Sequence, residues 1–141
     1  MPRRDPEPLL RTSYFQVLID DRELGFAEIT PLTSRTEVDA AEGGRHGFDT
    51  VILRRAVTRS TELYEWRRRI AEGADDRRTV RIEQLEAPGG PVANSWTLID
   101  AWPCRWSGPA FDAQSSAIAV EELELRFENL VWHAQNHDQG A

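Results

Sequence analysis

The sequence predicts an all-β fold, a small barrel or sandwich with a single helix laid across it. Three observations lead there. Apolar and polar residues alternate through YFQVLID, TVRIE and EELELRF, as strands buried on one face require. Turn-forming clusters such as APGGPV separate these stretches. Only TELYEWRRRIAE places its apolar residues at helical spacing. The expected count is about seven strands and one helix.

Residues 1–12 hold Pro2, Pro6 and Pro8 with mixed charge and read as an extended arm, followed by a β domain over 13–133 and a polar tail over 134–141. In the first strand Phe15, Val17 and Ile19 share a face. Asp20-Asp21-Arg22 turns the chain, LGFAEI is expected to return as the second strand, and Thr30-Pro31 breaks it. SRTEVDA suits another short strand. AEGGRHG reads as the most flexible stretch of the middle, and FDTVILRRAV resumes strand character.

The helix has Thr61 as expected cap and Glu62 in its first turn, where a carboxylate complements the helix dipole. Leu63, Trp66 and Ile70 form its apolar stripe. Glu65 with Arg69, and Arg68 with Glu72, are spaced as i,i+4 ion pairs, and Gly73 ends it. SWTLIDAW, WPCRWSG and a long IAVEELELRFENLVW complete the strands. In the last of these, Leu123, Leu125 and Phe127 share one face and Glu122, Glu124, Arg126 and Glu128 the other. Ile118 and Val120 lie on the opposite phase, so a bulge or bend is expected near Glu121-Glu122. Core packing is the commoner use of Trp96, Trp102 and Trp106, with interface anchoring the alternative.

At 141 residues the chain is one domain able to bury a core. The start MPRRDPEPLL has no apolar signal core and no run approaches the roughly 18 apolar residues of a membrane span, so a cytoplasmic origin is expected. Cys104 is the sole cysteine and forms no internal disulfide. A net charge of −7 argues against general nucleic-acid binding. All 17 basic residues are arginine, which suits subunit interfaces through planar bidentate contacts; a coding bias explains it equally.

No residue set supports a reaction. His133 and His137 stand four apart in a polar terminus without a third ligand, and His46 has no partners at metal-ligand spacing. EGGRHG lacks the Lys-Ser/Thr pair of a phosphate loop. Ser107, Ser115 and Ser116 stand outside any nucleophile-elbow context. No catalytic residue, metal or cofactor is expected.

Taken in order, TELYEWRRRIAEG, DDRRTVRIEQL, WTLIDAWPCRWSGPAFDA and AVEELEL resemble the tail tube proteins of contractile phages and the inner tube proteins of extracellular contractile injection systems. The resemblance runs from Tyr14 to Leu130 and is densest from Thr50 onward. It implies two packed sheets with a flanking helix and no catalytic residue or cofactor. It also implies hexameric rings, stacked into a tube inside a contractile sheath on a baseplate hub and spike, assembled in the bacterial cytoplasm for cargo delivery. Family subunits carry a longer, basic segment where EGGRHG runs directly into FDTVILRR. Glu42, Gly43, Gly44, Arg45, His46 and Gly47 are therefore the candidate ring-stacking loop. The shortening leaves a tube-initiating ring at the hub as the alternative to a repeating subunit. A monomeric β-barrel binding module is the rival of another class. The alternation of the last strand gives it one acidic face, and in the ring that the resemblance implies Glu122, Glu124 and Arg126 are the candidates for a channel-facing surface.

Overall fold

A computed structural model of the chain describes residues 9–39, 43–46 and 49–134. Strand β1 (Phe15–Ile19) and β2 (Arg22–Leu24) form a hairpin closed by Asp20 and Asp21 at φ 49° and 64°. Two consecutive positive φ values are what a tight hairpin turn of matching twist demands, and aspartate tolerates them better than most residues. The turn is also held from outside: Asp20 Oδ1 accepts the Thr79 N–H at 3.1 Å, and the Asp20 N–H donates to the Thr79 carbonyl at 2.9 Å. Thr79 belongs to β7 (Arg78–Leu85), which pairs with β1 through Val17↔Ile82.

LGFAEI is not one returning strand. After Leu24 the chain leaves β1, and β3 (Glu28–Ile29) pairs instead with β6 (Asp49–Ala56). The backbone hydrogen bonds decide this, because the Ala27 and Thr30 N–H groups donate to the carbonyls of Arg54 and Ile52 at 2.8 and 3.0 Å.

The largest departure from expectation lies in the second half. SWTLIDAW and WPCRWSG are one 16-residue strand, β8 (Val92–Ser107), while the expected long last strand is two, β9 (Val120–Phe127) and β10 (Asn129–Ala134). The N-terminal half of β8 pairs with β7 and β10, its C-terminal half with β9. Between them Asp100 adopts φ 54°, and the Glu128 N–H donates to the Ile99 carbonyl at 3.0 Å. Both chains therefore turn the same corner together. The resulting order is β2-β1-β7-β8-β9-β6-β3, with β10 beside β8 and every pairing antiparallel.

Folding the sheet at that corner brings its halves face to face. Val17, Val80 and Leu98 from one half meet Leu53, Leu123 and Leu125 from the other, all fully buried. Each such side chain contributes about 1.5–3 kcal/mol on burial.

Helix α1 (Glu62–Ala71) closes this core with Leu63 and Trp66, and Ile70 packs at its margin. The Trp66 indole donates to the Asp76 carbonyl at 2.7 Å, and the Arg78 guanidinium lies 4.6 Å over its ring. Thr61 does not cap through its side chain; Ser60 Oγ accepts the Glu62 N–H at 3.4 Å in its place. Gly73 does end the helix, at φ 94°, with its N–H on Ile70 O and the Ala74 N–H on Arg69 O, both 3.0 Å, a Schellman arrangement. Arg68 pairs with Glu65 at 3.1 Å and Glu72 at 3.8 Å. The expected Glu65–Arg69 pair is absent because Arg69 reaches Asp76 at 2.8 Å.

Three further expectations are corrected. Ile118 and Val120 are 76% and 37% exposed, so no bulge near Glu121 is needed to bring them into the core. His133 lies within β10, opposite Ser95, rather than beyond the last strand. Gly43–His46 is strand β5, paired with β4 (Thr36–Asp39) from Thr36↔His46 to Asp39↔Gly43, rather than a loose connection. The antiparallel register supplies order that the two glycines lack intrinsically. Glu42, Gly47 and His137 lie outside the described residues.

Candidate functional site

On β9, strict alternation puts Leu123, Leu125 and Phe127 into the core and leaves Glu122, Glu124 and Arg126 on the outer face, half-buried or exposed. None of the three packs into the core. The surface they form is not acidic, however. Arg54 stands opposite Glu122 in register, with its Nε 2.7 Å from one Glu122 oxygen and its Nη1 3.2 Å from Glu28. Arg105 bonds Glu122 at 3.4 Å and Glu124 at 3.0 Å. Arg126 lies opposite Trp102, its guanidinium 5.9 Å from the ring centroid.

Three carboxylates (Glu28, Glu122, Glu124) are thus interleaved with three guanidiniums (Arg54, Arg105, Arg126), and the face is charge-balanced. The hydrogen bond from Arg54, then its charge, and the contacts from Arg105 hold Glu122 below the ordinary glutamate value of 4.5, against partial desolvation. Exposed pairs of this kind contribute little stability each, so the pattern bears on what the surface presents rather than on folding.

The opposite side of the same strands hides a second charge cluster that sequence reasoning passed over. Glu121, 4% exposed, is in phase with Leu123 and Leu125. It accepts from Arg55 Nε at 3.1 Å and from the Trp106 indole at 2.9 Å. Arg55, 8% exposed, also donates to Glu62 at 3.1 Å, and Glu62 binds Arg22 at 2.7 Å. The chain Arg22–Glu62–Arg55–Glu121–Trp106 ties the first turn of α1 to β2, β6, β8 and β9. The signal was available, since Glu121 occupies a core phase, but its polarity masked it.

The tryptophans divide between uses. Trp66 is the fully buried one. Trp96 is half-buried and stacks on Trp132 with centroids 6.0 Å apart and planes at 9°. Trp106 meets Tyr64 edge-on at 5.2 Å. Cys104 is half-buried with its Sγ 3.5 Å from the Glu124 carbonyl, and burial pushes its thiol above the ordinary 9.0.

Backbone is left available to another chain at several places. Among the described residues strand β10 pairs with β8 alone, and like the terminal strands β2 and β3 it leaves one edge open. Its sequence NLVWHA carries no lysine, arginine, acid or proline, the usual devices that protect an edge. The β4–β5 ribbon pairs with no other strand among the described residues. Among those residues no group of three or more His, Cys, Asp or Glu is placed to hold a metal ion, and no helix is long and apolar enough to cross a membrane.

Residues 11–131 match the family described as T4-like virus tail tube protein gp19. Among solved structures, the fold is similar to a chain of the anti-feeding prophage cap (AFP tube terminating cap), with TM-score 0.84, 20% identity, and 95% of this chain and 97% of that one covered. It is also similar to a chain of the extracellular contractile injection system PVC sheath-tube complex in the extended state, with TM-score 0.76, 21% identity, and coverage of 92% and 94%. Hcp1 from Flavobacterium johnsoniae shares the fold at TM-score 0.62 and 15% identity over 86% and 96% of the two chains. No curated protein sequence matches.

Proposed function

Because the chain belongs to the T4-like virus tail tube protein gp19 family, we propose that it is a structural subunit of the inner tube of a contractile phage tail or phage-tail-like injection system. The observation that carries this is the family match over residues 11–131. The finer reading is a hexameric ring, stacked on further rings into a hollow tube within a contractile sheath and seated on a baseplate hub. Such a particle assembles in the bacterial cytoplasm and delivers cargo through the tube. A closed ring of identical subunits needs a head-to-tail contact between two different surfaces, and stacking such rings generates an open tube.

Several features support this reading. The open β10 edge suits strand addition by a neighbouring copy. The ribbon of Thr36–Asp39 and Gly43–His46 is a two-stranded element, marginal when isolated, which gains stability by docking on a partner. We assign it, with Glu42 and Gly47, to contact between rings. Glu122, Glu124 and Arg126 are assigned to the channel wall, which would then be charge-balanced with their arginine partners. The subunit's role is mechanical and no chemical step is attributed to it.

Negative-stain electron microscopy of the purified protein, with its mass in solution, tests the proposal. Long hollow tubes are expected. Single rings, or subunits that assemble only on a hub protein, would place the chain at the tube's start instead. A monomer inert toward every tail component would overturn the tube reading and favour the binding module.

A further inference from the structure

The connection between β8 and β9, residues 108–119, is 12 residues long and stands out from the barrel. Every residue from Ala110 to Val120 is exposed, including Phe111 at 88% and Ile118 at 76%. The loop is nevertheless ordered by its own hydrogen bonds. Asp112 Oδ1 accepts the Gln114 N–H at 3.0 Å, the Asp112 carbonyl accepts the Ser115 N–H at 3.0 Å, and Ser115 Oγ accepts the Ala117 N–H at 3.1 Å. A preformed loop that displays an aromatic ring loses little conformational freedom on docking.

Near the other end of β8 lies a surface of complementary shape and chemistry. A groove of about 530 Å³ opens between the two halves of the sheet, lined by Phe15, Ala27, Ile29, Leu32, Ile82 and Trp96. A cavity of roughly 150 Å³ already accommodates a benzene ring, so this groove has room for an aromatic and a branched aliphatic side chain. Charge complements the apolar fit. Asp112 is the only charged residue of the loop. Arg11 at the groove rim is exposed, adjoins the lining residue Thr12, and has no ion-pair partner among the described residues; its carbonyl accepts from the Gln84 side chain at 3.4 Å. Glu28, the groove's own acid, is paired with Arg54 at 3.2 Å, a guanidinium it shares with Glu122.

We propose that the 108–119 loop of one copy inserts Phe111 and Ile118 into the groove of a second copy, with Asp112 beside that copy's Arg11. The inference rests on the tube-subunit reading, and it names the contact that reading requires. Knob and groove are different surfaces of one subunit, so a one-way contact between them is head-to-tail and propagates from copy to copy, as a ring requires. A buried Phe covers about 150–250 Å², well short of the roughly 800 Å² per partner of a standard interface. The loop is therefore an anchor within a larger contact, and strand pairing supplies the remainder.

The test uses the full chain carrying Cys104→Ser, with Ala113→Cys, which keeps Phe111 in place, and Ala27→Cys introduced singly and together. Both positions are exposed, so circular dichroism should be unchanged. Mild oxidation of assembled protein should yield a ladder of covalent oligomers from the double variant and at most dimers from either single one. Separately, Asp112→Asn, which keeps the Oδ1 acceptor for the Gln114 N–H and removes only the charge, should shorten assemblies severalfold by electron microscopy, as should Arg11→Gln, and the two together should lose no more than either alone. Wild-type tubes with no ladder, or a double variant that loses as much as the summed singles, would overturn this contact while leaving the tube reading intact. A wild-type chain that never assembles, alone or with tail components, would overturn both.

Discussion

Replacing Glu121 by alanine should cost the fold about 3–5 kcal/mol, far more than its place in a run of surface-like glutamates suggests. Glu121 is 4% exposed and answers one buried and one half-buried donor, Arg55 Nε at 3.1 Å and the Trp106 indole at 2.9 Å. Without it, Arg55 keeps only Glu62 at 3.1 Å, and its Nη2 already has no partner. Breaking a buried ion pair by removing one partner typically costs about 3–5 kcal/mol; the Glu62 contact that Arg55 retains lowers the loss and the orphaned indole N–H raises it, so the total stays within that range. A chain of this size shifts its midpoint by about 2–4 °C per kcal/mol, so Tm should fall by roughly 6–20 °C. The assay is urea unfolding of dispersed subunits followed by tryptophan fluorescence, comparing midpoints at constant slope. The double variant Arg55→Leu with Glu121→Leu should recover much of the loss, because removing both charges also removes their desolvation cost. A loss under about 1 kcal/mol for Glu121→Ala, or a double variant as unstable as the summed singles, would refute the account of a buried, coupled pair.

Two other outcomes follow from the same geometry. Hydrogen bonds from Arg54 to Glu122 and from Arg78 to Asp76 lower both carboxyl pKa values below 4.5 and 3.8, so their stabilisation is present above those values and is lost as pH falls through the folded-state ones. Urea midpoints should be flat above about pH 5 and drop below it, and Glu122→Gln should make that acid drop shallower, which a pH series of unfolding curves would show. Gly73→Ala should cost about 1 kcal/mol by thermal melting although an added Cβ meets nothing within 4 Å, because φ 94° is unfavourable for any side chain; Gly25→Ala, equally open and without a positive φ, should be neutral or slightly stabilising.

The sequence by itself determined which apolar residues of the regular strands and of the helix face inward, and where the helix stops. Val17, Ile82, Leu123 and Leu125 are buried as their period of two requires, and Leu63 and Trp66 as their helical spacing requires, because alternation and the 3.6-residue turn are local geometry. Gly73 stops α1 for an equally local reason. The ordered motifs also pointed, through a family resemblance, to the tube-protein family. Tertiary structure alone decided what each outward side chain faces. Glu122 and Glu124 look acidic along the chain, but Arg54 lies 68 residues from Glu122 and is brought beside it only by the β6–β9 register. Likewise, nothing local in VANSWTLIDAWPCRWS announces that one strand serves both sheet halves. The bend at Asp100 exists because β7 and β10 hold one end and β9 the other, and pairing partners are a property of the folded chain that periodicity does not encode.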